Sequence, residues 1–210
     1  MTSNRKVDHL VYAVPNLMAA MDIFEQKTGI RPIFGGYHQN QGTKNALVNL
    51  GDKCYLEFIA IDTKNTAIQA PRWMGVDFVD SPQITRWALK SENLEKDSRI
   101  LQHYQADLGQ IQAGQRKMSN GKTLTWQMSM PLATPAVDIL PFFLDWRQSE
   151  AHPTEALPVQ CRLVRLELAH PQANTMQRVF EDLSLDLNIL QQANPSIGIQ
   201  LECPRGLINL

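Results

Sequence analysis

The chain has 210 residues, enough for one large domain or a few packed modules with a real core, which excludes a small stapled scaffold. Twenty basic residues against 21 acidic ones give a formal charge of −1, so no global field favours nucleic acid or anionic lipid. At 43% hydrophobic and 20% charged, with 11 Gly and 12 Pro, the composition is that of a soluble globular protein.

Val7–Val14 is β-branched and aromatic, apolar on both faces, and predicts a strand that Pro15-Asn16 closes. Asn16 reads as a helix N-cap, Leu17, Ala20, Met21 and Phe24 fall at helical spacing, and Gly29 marks the C-terminal cap. Arg31–Phe34 supplies a short strand and GGYHQNQGTKN a turn-rich stretch. Ala46–Leu50 and Cys54–Ile61 then form a hairpin across Gly51-Asp52.

This β-α-β-β-β order recurs. Residues 84–91 predict a strand, and Asn93 caps a helix whose Leu94, Ile100, Leu101, Tyr104 and Leu108 form an apolar stripe up to Gly109. Thr123–Met130 and Ile139–Trp146 predict two further strands. A shorter copy starts at Cys161, with a strand Arg162–Ala169, a helix through Met176, Val179, Phe180 and Leu183, then Leu185–Leu190 and Ile197–Cys203. The expected organisation is a first module over 7–62, a connection over 63–83, a second module over 84–148, a linker over 149–160 and a shortened third module over 161–210. The fold class is α+β.

Three cysteines without CxxC spacing, Cys54, Cys161 and Cys203, argue against a disulfide framework and for a reduced cytosol. The start, MTSNRKVDHLVYAV, lacks a signal-peptide cleavage site, and no apolar run approaches the ~20 residues of a membrane span. A cytoplasmic protein without nucleic-acid or membrane partners is therefore expected. Overlaying the copies on Asn16 with Asn93, and on Pro15 with Pro171, puts His9 opposite Arg86 and Arg165. On the last strands Glu57 in YLEF matches Glu202 in QLEC, whereas the second copy offers Asp145 in PFFLDW.

The runs DHLVYAVPNL, GGYHQNQGTKNALVNLGDKCYLEFIA and LPFFLDW resemble the glyoxalase-like domain proteins of the vicinal oxygen chelate superfamily. The resemblance is strongest over 7–62, moderate over 84–148 and weak beyond 160. It implies repeated βαβββ modules whose mixed, curled sheets surround an open cup. It also implies a divalent metal held in the cup by a histidine on a first strand and a glutamate on a last strand, here His9 and Glu57. The activity so implied is metal-assisted proton transfer on a small oxygen-bearing metabolite, of isomerase, lyase or dioxygenase type.

An imidazole and a carboxylate on adjacent strands suit Zn, Ni, Mn or Fe, but two ligands leave the set incomplete. His38 in the glycine-rich loop is the candidate third ligand, with Gln39 or Asn45 as alternatives. Arg86, where a second histidine would stand, repels a cation. Relatives carry histidine or arginine at Lys44, so the resemblance equally allows a metal-free basic pocket in a non-catalytic module that binds or sequesters a ligand. Glu57, in an apolar strand, needs a partner: His9 through a metal, or Lys44 or Arg86 in a salt bridge.

In the enzyme reading Glu57 or Asp145 moves a proton, while Lys44 and Arg86 stabilise an anion. Asn45, Trp126 and Phe143 complete the substrate-binding set. Trp73, Met74 and Phe78 in the connection read as a lid on the cup or a surface for a second copy, which leaves a homodimer open. His103 and His152 are expected to be ordinary exposed residues, and His170 structural.

Overall fold

A computed structural model of the chain describes residues 5–117 and 122–210. The first strand, β1 (Val7–Ala13), is followed by α1 (Leu17–Thr28), which starts where Asn16 accepts the Ala19 N–H at 3.1 Å. Gly29 ends α1 in the left-handed conformation at φ 80°, where a side chain would be strained. Next come β2 (Ile33–His38), β3 (Thr43–Gly51) and β4 (Cys54–Ile61). The last strand β4 lies parallel to β1, and β3 and β2 extend the sheet antiparallel beyond it.

The same arrangement follows in β5 (Gln83–Lys90), α2 (Leu94–Tyr104), β6 (Ile111–Lys117), β7 (Thr123–Ser129) and β8 (Phe142–Asp145). Here β8 is parallel to β5, with β7 and β6 beyond it. The two units join through antiparallel pairing of β1 with β5, in which Leu10 faces Trp87. Those two residues are as far apart in sequence as the helix caps Asn16 and Asn93, so their pair marks a local two-fold axis.

The carboxy-terminal region contains β9 (Arg162–His170), α3 (Ala173–Asp182), β10 (Ile189–Gln191), β11 (Ser196–Cys203) and β12 (Gly206–Asn209). Its strand order is β10-β9-β11-β12, and the pair Ile197 and Ile84 ties β11 to β5. All of this forms a mixed α+β architecture built on a large, curled, unclosed sheet.

Two apolar layers hold the sheet. Its helix-covered face buries Leu10, Leu56, Phe58 and Trp87 against α1, α2 and α3. The opposite, concave face carries Val11, Ala13, Ile59, Ala88, Met128 and Phe142. Met74, Val76 and Val79, from the connection between the two units, pack into that second layer. The connection thus plugs one end of the cup from inside. It docks through Gly75, at φ 73°, where a Cβ would come within 2.2 Å of the Ala136 carbonyl oxygen.

Several boundaries differ from expectation. The second helix ends at Tyr104, short of Leu108, and β8 spans only Phe142–Asp145. Conversely, β2 runs on through Gly35 and Gly36 to His38, so His38 ends a strand instead of sitting in a loop. Strands β6 and β12 carry no apolar alternation and were not anticipated. Among the described residues no helix is long and apolar enough to cross a membrane.

Candidate functional site

Strands β1, β2, β3 and β4 bring His9, His38, Asn45 and Glu57 to a cavity of ≈ 50 Å³. Its remaining wall is apolar, with Trp73, Trp126, Phe142 and Trp146 prominent. The volume holds a water or a small functional group, well short of an aromatic ring.

His9 is fixed by its chain neighbour. Residues adjacent on a regular strand face opposite sides, but β1 has a register irregularity between Val7 and His9. His9 Nδ1 lies 2.8 Å from Asp8 Oδ1, and the carboxylate can only accept, so Nδ1–H donates and in the neutral ring Nε2 carries the lone pair. Stacking on Tyr55, with ring centroids 4.6 Å apart, holds the imidazole plane. Its Nε2 stands 3.7 Å from Glu57 Oε2.

Asp8 has no solvent exposure, and its second oxygen accepts the Trp146 indole N–H at 2.9 Å. His152 Nε2 lies 3.5 Å from the same oxygen, at the long edge of hydrogen bonding. The Thr154 backbone N–H donates to His152 Nδ1, so a neutral His152 carries its proton on Nε2, towards Asp8. Burial alone would push the Asp8 carboxyl up. The contacts with His152 and His9 outweigh it and hold the group well below the usual carboxylate range.

Glu57 is buried, and its Oε1 accepts the Asn45 amide N–H at 2.6 Å. The same amide nitrogen is 3.3 Å from His38 Nε2. His38 Nδ1 meets the Thr43 hydroxyl at 3.0 Å, and that hydroxyl accepts the Trp73 indole N–H at 3.0 Å. Asn45 Oδ1 is buried without a partner among the described residues, an acceptor left available beside the carboxylate.

His9, His38, Asn45, Glu57 and Trp126 therefore meet at one cavity, whereas other sequence-predicted residues stand elsewhere. Lys44 is half-buried on β3 and Phe143 lies in the helix-side layer, under the Arg5 guanidinium at 5.2 Å. Asp145 lines an outer groove and binds Arg147, with its Oδ2 2.6 Å from a guanidinium nitrogen. That hydrogen bond lowers the Asp145 carboxyl pKa.

Arg86 is fully buried, and its terminal nitrogens donate to the carbonyls of Thr85, Leu132, Pro135 and Ala136 at 2.7–3.0 Å. Burial draws its guanidinium down to about 10. Asp8 and His152 were not anticipated, whereas Trp146 was expected in the core or the cup lining and is in the lining. Only the Asp-His dipeptide carried a signal for Asp8, and His152, expected to be exposed, is 4% exposed.

The divalent metal implied by the resemblance finds an incomplete cage. The local two-fold relation makes Arg86 the counterpart of His9. Val11 and Ala88 are then equivalent, and their strand neighbours Glu57 and Phe142 correspond. The second unit thus contributes a guanidinium and a phenyl ring where ligands would stand. In the first unit the Asn45 N–H occupies Glu57 Oε1 and faces His38 Nε2. Among the described residues no three His, Cys, Asp or Glu side chains converge to hold an ion. His9 Nε2 and Glu57 Oε2 are two donors where catalytic metal sites supply about three.

A family model described as glyoxalase-like domain matches residues 7–184. A hypothetical protein from Staphylococcus aureus is 18% identical, with a TM-score of 0.61 over 98% of this chain and 85% of that one. Methylmalonyl-CoA epimerase from Mycobacterium tuberculosis is 18% identical, with a TM-score of 0.42 over 66% of this chain and 86% of its own. A Streptomyces coelicolor methylmalonyl-CoA epimerase variant, in complex with 2-nitronate-propionyl-CoA, is 13% identical. Its TM-score is 0.43 over 70% of this chain and 97% of its own. No curated protein matches the chain.

Proposed function

The chain belongs to the glyoxalase-like domain family, and we propose that it moves a proton on a small oxygen-bearing metabolite, with His9 and Glu57 as the acid–base pair. The observation that carries this reading is the buried Asp8 carboxylate on His9 Nδ1, which commits Nε2 as an acceptor inside the cavity. A base so oriented resembles the carboxylate–histidine half of a catalytic triad in its physics: the carboxylate fixes the tautomer and stabilises the imidazolium once formed.

In this reading His9 Nε2 takes a proton from the carbon beside a carbonyl, and the C–H electrons pass to the carbonyl oxygen as an enolate. His38 Nε2 accepts the second Asn45 N–H at 3.3 Å and so holds the amide that orients Glu57. Glu57, 3.7 Å from His9 Nε2, exchanges the proton at the other end of the transfer. Its orientation is fixed by Asn45, whose Oδ1 accepts a substrate hydroxyl. Nothing in this sequence passes through a metal.

The test is ¹H/²H exchange in D₂O, followed by NMR, across small 2-oxo and α-hydroxy carbonyl compounds. Exchange at an α-carbon is expected for at least one compound. His9→Ala and Glu57→Gln are each expected to slow it by about 100-fold or more while circular dichroism is retained. Exchange at the wild-type rate in both variants sinks the assignment. Binding of the compounds without exchange moves the protein to the non-catalytic, sequestering class.

A further inference from the structure

A second cavity, a vestibule of ≈ 270 Å³, adjoins the first, and the two chambers share His38, Trp73, Trp126 and Met128. A substrate larger than the inner cavity that places a small group at His9 can extend its body into this adjoining chamber. The vestibule's chemistry differs from that of the inner wall. It is rimmed by five amide side chains, Gln39, Asn40 and Gln41 after β2 and Gln112 and Gln115 on β6. Each amide offers both donors and acceptors, and none carries charge.

An aromatic wall faces these amides. Trp126 lies against Gly114 so closely that a Cβ there would meet the indole at 2.4 Å, so the glycine gives the ring its seat on the neighbouring strand. Trp73 closes the other side, held by its N–H on Thr43. Flat indole faces beside convergent amides suit a ring with an exposed apolar face and several uncharged hydrogen-bonding groups. Among the described residues that line either chamber, Glu57, on the inner one, is the one Asp, Glu, Lys or Arg side chain. A ligand anion would be repelled by that carboxylate.

Resting on the reading of the site above, we infer that the vestibule holds the body of an uncharged, multiply hydrogen-bonding ring compound, stacked on Trp126 and bonded by the glutamine rim. Neutral saccharides and heteroaromatic carboxamides both present this chemistry. It is also the opposite of the basic pocket that Lys44 and Arg86 suggest from sequence, since neither residue lines either chamber.

Matched pairs test it: nicotinamide against nicotinate, and N-acetylglucosamine against glucuronate, titrated by ligand-observed NMR on the full chain. At least one neutral member is expected to bind about 10-fold more tightly than its anionic counterpart. The pair that responds distinguishes carboxamide from saccharide. Trp126→Ala should abolish that binding. Gln115→Lys, at an exposed rim position, should narrow the neutral-over-anion preference by about 5-fold or more without disturbing the fold.

Equal or tighter binding of the anions overturns the inference, as does the lack of saturable binding by either neutral probe. Repeating the titrations in His9→Ala separates the two proposals. The vestibule is expected to keep its ligand there although proton exchange is lost, so a failed exchange assay with intact neutral binding refutes only the acid–base reading.

Discussion

His9 and Arg86 occupy equivalent positions across the local two-fold axis, both on the concave face and both buried, yet their surroundings differ in kind. A buried polar or charged group must find partners. His9 finds one on Nδ1 and keeps the other nitrogen open to a cavity, whereas both terminal nitrogens of Arg86 are spent on four backbone carbonyls. Those carbonyls belong to β5 and to the 132–136 loop, which the connection around Gly75 presses against. One half of the cup therefore holds the candidate site and the other a plug. Duplicated modules do not imply duplicated chemistry; what fills the concave face decides.

The largest effect should come from breaking the plug. Arg86→Ala leaves four carbonyls without their donor and opens a void, and is expected to lower unfolding stability by about 3–5 kcal/mol. Urea denaturation reads this directly. Arg86→Lys should recover little, because an ammonium cannot span the carbonyls as a guanidinium does. A loss below about 1 kcal/mol in Arg86→Ala would mean that the loop is held by something else. Gly75→Ala should follow at about 2–3 kcal/mol, from a left-handed backbone and a backbone clash with Ala136 together. Stability equal to wild type would show that the connection does not dock as described.

The contrast between the halves also explains what the sequence could reveal. Helix caps at Asn16 and Asn93, the apolar runs of β1, β4 and β5, and the DH and LEF motifs are local signals, and they led to the two βαβββ units and to His9 and Glu57. The edge strand β6, IQAGQRK, has no apolar face to bury, so its residues read as loop. The fate of Arg86 depends on a loop some fifty residues away in sequence, and no local pattern foretells that its charge is consumed there. His152 likewise reads as a linker histidine until the chain brings it beside Asp8. Register and long-range contacts, rather than propensity, separate the legible part from the rest.

The Asp8 carboxylate offers a third probe, on the site half. Its folded pKa lies below the unfolded value of about 3.9, so the unfolded chain binds the proton first on acidification. The contribution of Asp8 is complete above about pH 5, begins to be lost as the pH falls through the unfolded value, and goes on falling towards the folded one. Urea titrations between pH 6 and pH 3 should show this slope in the wild type and a shallower one in Asp8→Asn. Parallel slopes would place the acid sensitivity in other carboxylates.

The smallest effect, and the sharpest about the site, belongs to His152. Its ring packs on Trp146 and Tyr55, at centroid distances of 5.2 and 6.0 Å, while its Nε2–H faces Asp8 across 3.5 Å. His152→Phe keeps the ring and removes both nitrogens. The Thr154 N–H then loses an acceptor, and Asp8 keeps the shorter hydrogen bonds from His9 and Trp146. A cost of about 1 kcal/mol is expected, with the His9 Nδ1–H tautomer retained in ¹⁵N NMR spectra. If the tautomer is lost instead, His152 positions the base and Asp8 alone does not. If stability falls as far as in Arg86→Ala, the connector after β8 is a structural plug in its own right, and the two halves of the cup are more alike than their registers indicate.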